Sequence, residues 1–160
     1  MTAFESCEGL AEMESILRQE IWGSLGVCAE DRPYVVPLNY AYVDGKILFH
    51  CALKGLKLDH IRANPNVCFV VARQAGTVSD HANTKCHIDC ESVICAGTAR
   101  IVDDLEDRAA VLNAFNRAFN PGAGDMPMDR VRSCGAVEIT VTKMTGRRER
   151  GGKATLWGCD

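Results

Sequence analysis

The sequence predicts a mainly β protein of the α+β class, an antiparallel barrel of six strands with peripheral helices. Three observations carry that prediction. Residues 34–43 alternate Tyr34, Val36, Leu38, Tyr40 and Tyr42 with Val35, Pro37, Asn39, Ala41 and Val43, which sends successive side chains to opposite faces of a strand. Asp44-Gly45 then supplies the positive-φ pair of a two-residue hairpin, and residues 46–51 return. The other strand-like segments follow one another as hairpins or across short helices, not in βαβ alternation.

The whole chain reads as one domain: a helix at 8–22, strands between 24 and 145 interrupted by a loop at 73–91, and a tail at 146–160. In the helix, Leu10, Met13, Ile16, Leu17 and Ile21 form one apolar stripe, opposite Glu12, Glu14, Arg18 and Gln19. Gly23 terminates it. Residues 24–29 make a short strand, and Glu30-Asp31-Arg32-Pro33 a turn. After the central hairpin, a short basic helix runs from Lys54-Gly55-Leu56-Lys57 to Asn64-Pro65, and an apolar strand ends at Val71. Residues 73–91 show no sustained period and read as a long loop. Residues 92–102 are rich in β-branched side chains, with Gly97 marking a bulge or bend. Asp104 can cap the second long helix, whose buried stripe is Val111, Leu112, Phe115 and Phe119. Asn120-Pro121-Gly122 ends it, residues 126–133 add a helical turn, and residues 136–145 alternate as a half-exposed strand.

Composition excludes several functions. The 160 residues suffice for one core, and 47% hydrophobic with 24% charged residues is ordinary for a globular protein. A net charge of −3 argues against a nucleic-acid partner. No stretch approaches the roughly 18 apolar residues of a membrane helix. Residues 1–15 are acidic and lack the basic-then-apolar order of a signal peptide, which predicts a cytoplasmic protein. The nine cysteines are odd in number and follow no framework spacing. Cys28, Cys51, Cys68 and Cys95 sit in apolar runs, as reduced cysteines acting as small hydrophobes would.

Lys54 and Lys57, three apart, fall on one face of a helix start, where the dipole disfavours cations unless an anion sits between them. Two solvated lysines are the simpler alternative. His50, at the end of a strand beside them, can contact a phosphate, donate to a ring or protonate a substrate, or merely bond a neighbouring carbonyl. Cys51 is reactive only in an electropositive setting, which Lys54 could supply. Cys86-His87-x-x-Cys90, with His81 nearby, is a candidate metal or thiol-sensing loop, but no second ligand pair accompanies it, and no metal is expected. Arg147-Arg148-x-Arg150 reads as a solvated tail.

The run Pro33-Tyr34-Val35-Val36-Pro37-Leu38-Asn39-Tyr40, then Asp44-Gly45-x-Ile47-x-Phe49-His50, then Gly55-x-Lys57-x-x-x-Ile61-Arg62-x-Asn64-Pro65, resembles the pyridoxamine 5′-phosphate oxidase-like flavoproteins, most of all their nitroimidazole reductase branch. Glu91-Ser92-Val93-Ile94-x-x-Gly97-x-Ala99-Arg100 extends the likeness. The resemblance implies a split β-barrel that dimerises with FMN at the subunit interface. It places Val36, Pro37, Leu38, Asn39 and Tyr40 along the flavin ring, and His50, Cys51, Lys54 and Lys57 around the phosphate. Ser92 would approach the flavin from a neighbouring strand, Trp157 could come from the partner chain, and His50 would be the catalytic histidine. Where true pyridoxamine-phosphate oxidases carry Arg-Lys this chain has Leu53-Lys54, which argues against vitamin B6 oxidation. The implied activity is an FMN-dependent oxidoreductase that takes electrons from a nicotinamide or protein donor and reduces a small acceptor, such as a nitroaromatic. Flavin or haem binding without turnover is the alternative, and a Cys/His sensor a third.

Overall fold

The structure is a computed structural model and describes residues 7–78 and 88–159. Its chain order is α1 (Leu10–Gln19), β1 (Trp22–Ala29), β2 (Arg32–Asn39), β3 (Ala41–Val43), β4 (Lys46–Cys51), α2 (Leu56–Ala63), β5 (Asn66–Val78), β6 (Ile88–Ile101), α3 (Leu105–Phe119), α4 (Met128–Ser133), β7 (Gly135–Arg150) and β8 (Lys153–Cys159). The mainly β, antiparallel class holds. The sheet, however, has eight strands, in the order β2-β1-β5-β6-β7-β4-β3 with β8 also on β7, and its ladder does not close.

The predicted strand at 34–43 keeps its alternation but splits into two. Its first part, β2, pairs with β1, and its second, β3, pairs with β4, so one run of chain supplies both edges of the sheet. The break falls at Tyr40, whose buried hydroxyl donates to the Leu17 carbonyl at 2.8 Å while its backbone N–H donates to the Ile21 carbonyl at 3.2 Å. A fully buried ring with both polar groups satisfied fixes where the chain leaves one edge for the other. Glu30 and Asp31 turn β1 into β2 with φ of 50° and 58°, the two-residue hairpin geometry that Asp44-Gly45 repeats before β4.

Other boundaries move outward because pairing outweighs local composition. The first helix stops at Gln19 instead of Trp22: the Ile21 carbonyl is taken by Tyr40 and by Asn39 Nδ2, and Trp22 enters β1 opposite Asn39. Much of the expected loop is strand: β5 continues to Val78 and β6 begins at Ile88, with Arg73 opposite Glu91. The expected tail is also strand, since β7 runs to Arg150 and β8 folds back on it.

The main core lies inside the curved sheet under α1 and α2, built on Met13, Ile16, Leu17, Leu25, Tyr40, Phe69, Val93 and Ile139. A second core joins Val111, Leu112 and Phe115 of α3 to Leu48, Val131 and Ala136. Phe119, expected in that stripe, is half-exposed at the frayed end of α3. The register shift at Ala96/Gly97 matches the predicted bulge: Ala96 faces Lys143 and Gly97 faces Val141, leaving Thr142 as the extra residue on β7. A Cβ at Gly97 would lie 2.4 Å from the Thr140 carbonyl oxygen, so the two backbones meet there only because that side chain is absent.

Nor do the cysteines all behave as reduced small hydrophobes. Cys7 and Cys159 are joined in a disulfide with Cα atoms 5.4 Å apart, which ties the segment before α1 to the end of β8. Cys95 is buried, and burial, helped by nearby Cys68, pushes its thiol up to about 12. Cys68 faces outward.

Candidate functional site

The start of α2 is open. Its N-cap is Gly55, with φ of 141° and no side-chain cap, and a Cβ there would meet nothing within 4 Å. The Leu58 and Asp59 N–H groups both turn to the Gly55 carbonyl, which leaves the first N–H groups of the helix facing out. At α3, by contrast, Asp104 Oδ1 accepts from the Glu106 and Asp107 N–H groups at 2.9 Å each, as predicted. Among the described residues no carboxylate pairs with Lys54 or Lys57. An uncapped helix start beside two cations that lack a carboxylate among the described residues has the donors to hold an anion.

Strand alternation divides the other predicted residues. Cys51 faces α2, beside Leu58, Arg62 and Arg108, while His50 faces α3 and α4. Burial raises the Cys51 thiol, and Lys57 only partly offsets that, so Cys51 is a neutral thiol and not an activated nucleophile. The His50 imidazole stands edge-on to the Phe115 ring, centroids 5.0 Å apart at 85°. It lines a cavity of about 310 Å³ with Asn116, Met126, Arg130, Ser133 and Cys134. The sequence reading missed these five because their shared element is a pocket wall formed by α3 and the α4 turn, which no spacing encodes.

Along β2, Val36 and Leu38 point toward the core, Val35 and Pro37 point out, and Asn39 is engaged with the Ile21 carbonyl. Among the described residues β2 pairs only with β1, so one rank of its backbone N–H and C=O groups has no ladder partner there. Tyr40 is interior, and its polar groups are already used. Ser92 is not brought to His50 within one chain. Ser92 faces Arg147 and His50 faces Ala136, eleven positions apart on β7 (147 less 136), roughly 36 Å along an ideal strand. Trp157 is occupied in its own chain: Gly9 and Gly146 leave room for its ring, and the Arg148 guanidinium lies over it at 4.8 Å.

Around Ser92 the polar groups are paired. Glu91, 2% exposed, accepts from Arg73 Nε at 2.7 Å, Arg148 Nε at 2.7 Å and Arg150 Nη2 at 3.1 Å. Arg73 also reaches Gln19 and Glu20 at the end of α1. Burial alone would raise the Glu91 carboxyl, but bonds from Arg148 and Arg73 and their charges outweigh it and hold the group below its ordinary value. Two of the three tail arginines therefore belong to a buried ion-pair network. His81, Cys86 and His87 lie outside the described residues. Cys90 is on β6 opposite Gln74 and Glu149, and among the described residues no three His, Cys, Asp or Glu groups gather to hold a metal. No helix among the described residues is long and apolar enough to cross a membrane.

With this geometry in hand, the family follows. The chain belongs to the pyridoxamine 5′-phosphate oxidase family, whose model matches residues 10–148. It is 34% identical over 71 residues to an uncharacterized protein of Rhizobium meliloti, a match spanning 44% of this chain and 42% of that one. Solved structures share the fold. A candidate 5-nitroimidazole antibiotic resistance protein from Bacteroides thetaiotaomicron superposes with TM-score 0.76 at 24% identity, covering 97% of this chain and 91% of its own. An FAD and haem binding protein from Mycobacterium smegmatis does so with TM-score 0.78 at 12% identity, covering 94% and 82%.

Proposed function

We propose that the chain is a flavin-binding protein that holds FMN between two copies of itself and works as an oxidoreductase. The acceptor is a small molecule such as a nitroaromatic, and the electrons come from a nicotinamide or protein donor. One observation carries the reading: the uncapped start of α2, where Lys54 and Lys57 have no carboxylate partner among the described residues. A phosphate there would be met by free N–H groups and two ammonium groups, which fits FMN better than an uncharged flavin. The unladdered edge of β2 over Val36 to Asn39 suits the polar rim of the ring.

The dimer is supported by the outer face of the sheet. Pro37, Ser24, Val70, Ile94 and Thr145 stand in one row across five strands, and Val35, Gly26, Cys68 and Ala96 in the next. These side chains are small or apolar, with Val35 64% and Ile94 45% exposed. Such a face is suited to a second copy of itself. Ser92 shares this face, so a flavin between two copies could meet Ser92 of one and α2 of the other. Bound flavin supplies the redox chemistry, and the chain supplies position, charge at the phosphate and a proton held at His50.

Replacing Lys54 and Lys57 together by Ala should weaken FMN binding about 100-fold and riboflavin binding little, because two charge-assisted contacts are lost only where a phosphate exists. Equal loss for both ligands sinks the phosphate assignment. Turnover is read from flavin absorbance, which should bleach under NADH or NADPH and recover on adding a nitro compound. A flavin that stays bound without turnover favours the carrier reading, for which the likeness to the Mycobacterium smegmatis FAD and haem binding protein is the support.

A further inference from the structure

We infer that the cavity beside His50 is a second binding site, for a small flat hydrocarbon molecule carrying a carboxylate, with Arg130 as its anion-binding group. At about 310 Å³ it accommodates one aromatic ring with a substituent. Met126 gives it an apolar side, and the His50 ring that lines it rests edge-on against Phe115. Its polar groups are the His50 imidazole, the Asn116 carboxamide, the Ser133 hydroxyl, the Cys134 thiol and the Arg130 guanidinium. Among the described residues no Asp or Glu lines it.

Arg130, like Arg32 and Arg132, has no side-chain partner among the described residues, and of the three it is the one that lines the cavity. Arg18, Arg62, Arg73, Arg100, Arg117, Arg147, Arg148 and Arg150 each pair with a carboxylate, and Arg108 donates to the Val102 carbonyl. Among the described residues the Arg130 side chain has no such partner; only its backbone carbonyl is used, by Ser133 Oγ at 3.1 Å. A guanidinium without a carboxylate partner among the described residues, on a residue lining this cavity, matches the planar, two-oxygen geometry of a carboxylate.

The wall that carries Arg130 is fixed before any ligand arrives. The Met126 N–H donates to Asn113 Oδ1 at 2.8 Å, Arg117 pairs with Asp125 across the same connection, and Val131, next to Arg130, is fully buried against α3. A site with rigid walls loses little freedom on binding. The proposal rests on the flavin reading only in making the bound molecule the electron acceptor; the binding itself does not depend on flavin.

The test uses the full chain with benzoate as probe and benzyl alcohol as its uncharged counterpart, followed by calorimetry and by the imidazole NMR signals of His50. Benzoate should bind and shift those signals. Arg130→Met should weaken benzoate roughly tenfold or more while leaving benzyl alcohol unchanged, and Arg130→Lys should recover part of the loss. Because Arg130 is exposed, both variants should unfold at the wild-type temperature; Met126→Glu, which sets a carboxylate in the cavity, should abolish benzoate binding independently. Equal benzoate affinity in wild type and Arg130→Met, or His50 signals unmoved at saturation, overturns the proposal. FMN titrated into the same samples separates the two readings. FMN binding without benzoate binding sinks only the cavity, and benzoate binding without FMN binding sinks only the flavin assignment.

Discussion

β7 joins two regions built on opposite rules. Along Gly135 to Thr140 it pairs with β4 and borders the His50 cavity and the start of α2. Along Met144 to Arg150 it pairs with β8 and carries Arg148 and Arg150 into Glu91. At the second end Arg147, Arg148 and Arg150 each meet a carboxylate, Trp157 is stacked under Arg148, and Cys7–Cys159 ties the segment before α1 to the end of β8. At the first end Lys54, Lys57 and Arg130 have no anion among the described residues, and a helix starts uncapped. One end is satisfied by its own sequence, whereas the other leaves three cations without a carboxylate among the described residues. Stability should therefore be lost at the Glu91 end and binding at the His50 end, each with little effect on the other.

The largest break should come from the disulfide. It closes a loop of 152 residues in sequence separation, and constraint of the unfolded chain makes it worth about 2–5 kcal/mol. Cys7→Ser, measured by urea unfolding of oxidised protein, should lower the midpoint accordingly; an unchanged midpoint would show that the link does not persist in solution.

Next comes Glu91→Ala, which strands three arginines. We expect a loss of about 3 kcal/mol, the low end for a broken buried pair, because those arginines stay partly exposed. The same residue sets a pH dependence. Since its folded-state value is depressed, Glu91 binds fewer protons in the folded than in the unfolded state at acid pH. Its stabilisation is thus complete above the unfolded carboxyl value of about 4.3 and is lost as pH falls through the lower folded value. Glu91→Gln should flatten that acid limb of stability, and a limb of unchanged slope would assign it to other carboxylates.

A smaller effect tests the two helix starts against each other. Asp104→Ala removes two cap bonds and should cost about 1 kcal/mol. Lys54→Ala with Lys57→Ala should do the reverse to the ligand-free protein, raising stability by about 0.5 kcal/mol as cations leave the positive end of a helix. If that double variant proves as damaging as Asp104→Ala, the lysines are structural and the comparison fails. Ile94→Glu, on the outer sheet face, should convert a dimer to monomer in sedimentation at nearly unchanged monomer stability, since Ile94 is 45% exposed.

What the sequence determined by itself was local and periodic. Alternation over residues 34–43, the Asp44-Gly45 turn, the Asp104 cap, the Gly97 bulge and the short basic helix before Asn64-Pro65 depend on neighbours a few residues apart, and all five stand in the structure. The helix begins at Leu56, with Lys54 just ahead of its Gly55 cap. Strand ends did not follow, because Arg73, Glu91 and the 146–160 segment look polar and loop-like one residue at a time. They become strand only when Arg73, Arg148 and Arg150 bring their charges to one carboxylate across three strands. Tyr40 read as one more alternating residue, yet its hydroxyl and amide partners, Leu17 and Ile21, decide that the chain changes edges there. The site divided in the same way. The helix start beside Lys54 and Lys57 was legible because it is a local feature, whereas the separation of His50 from Cys51 and the meeting of His50 with Arg130 were decided by which helix packs on which face of β4. Periodicity fixes the faces of an element; only packing between elements far apart in the chain fixes what each face meets.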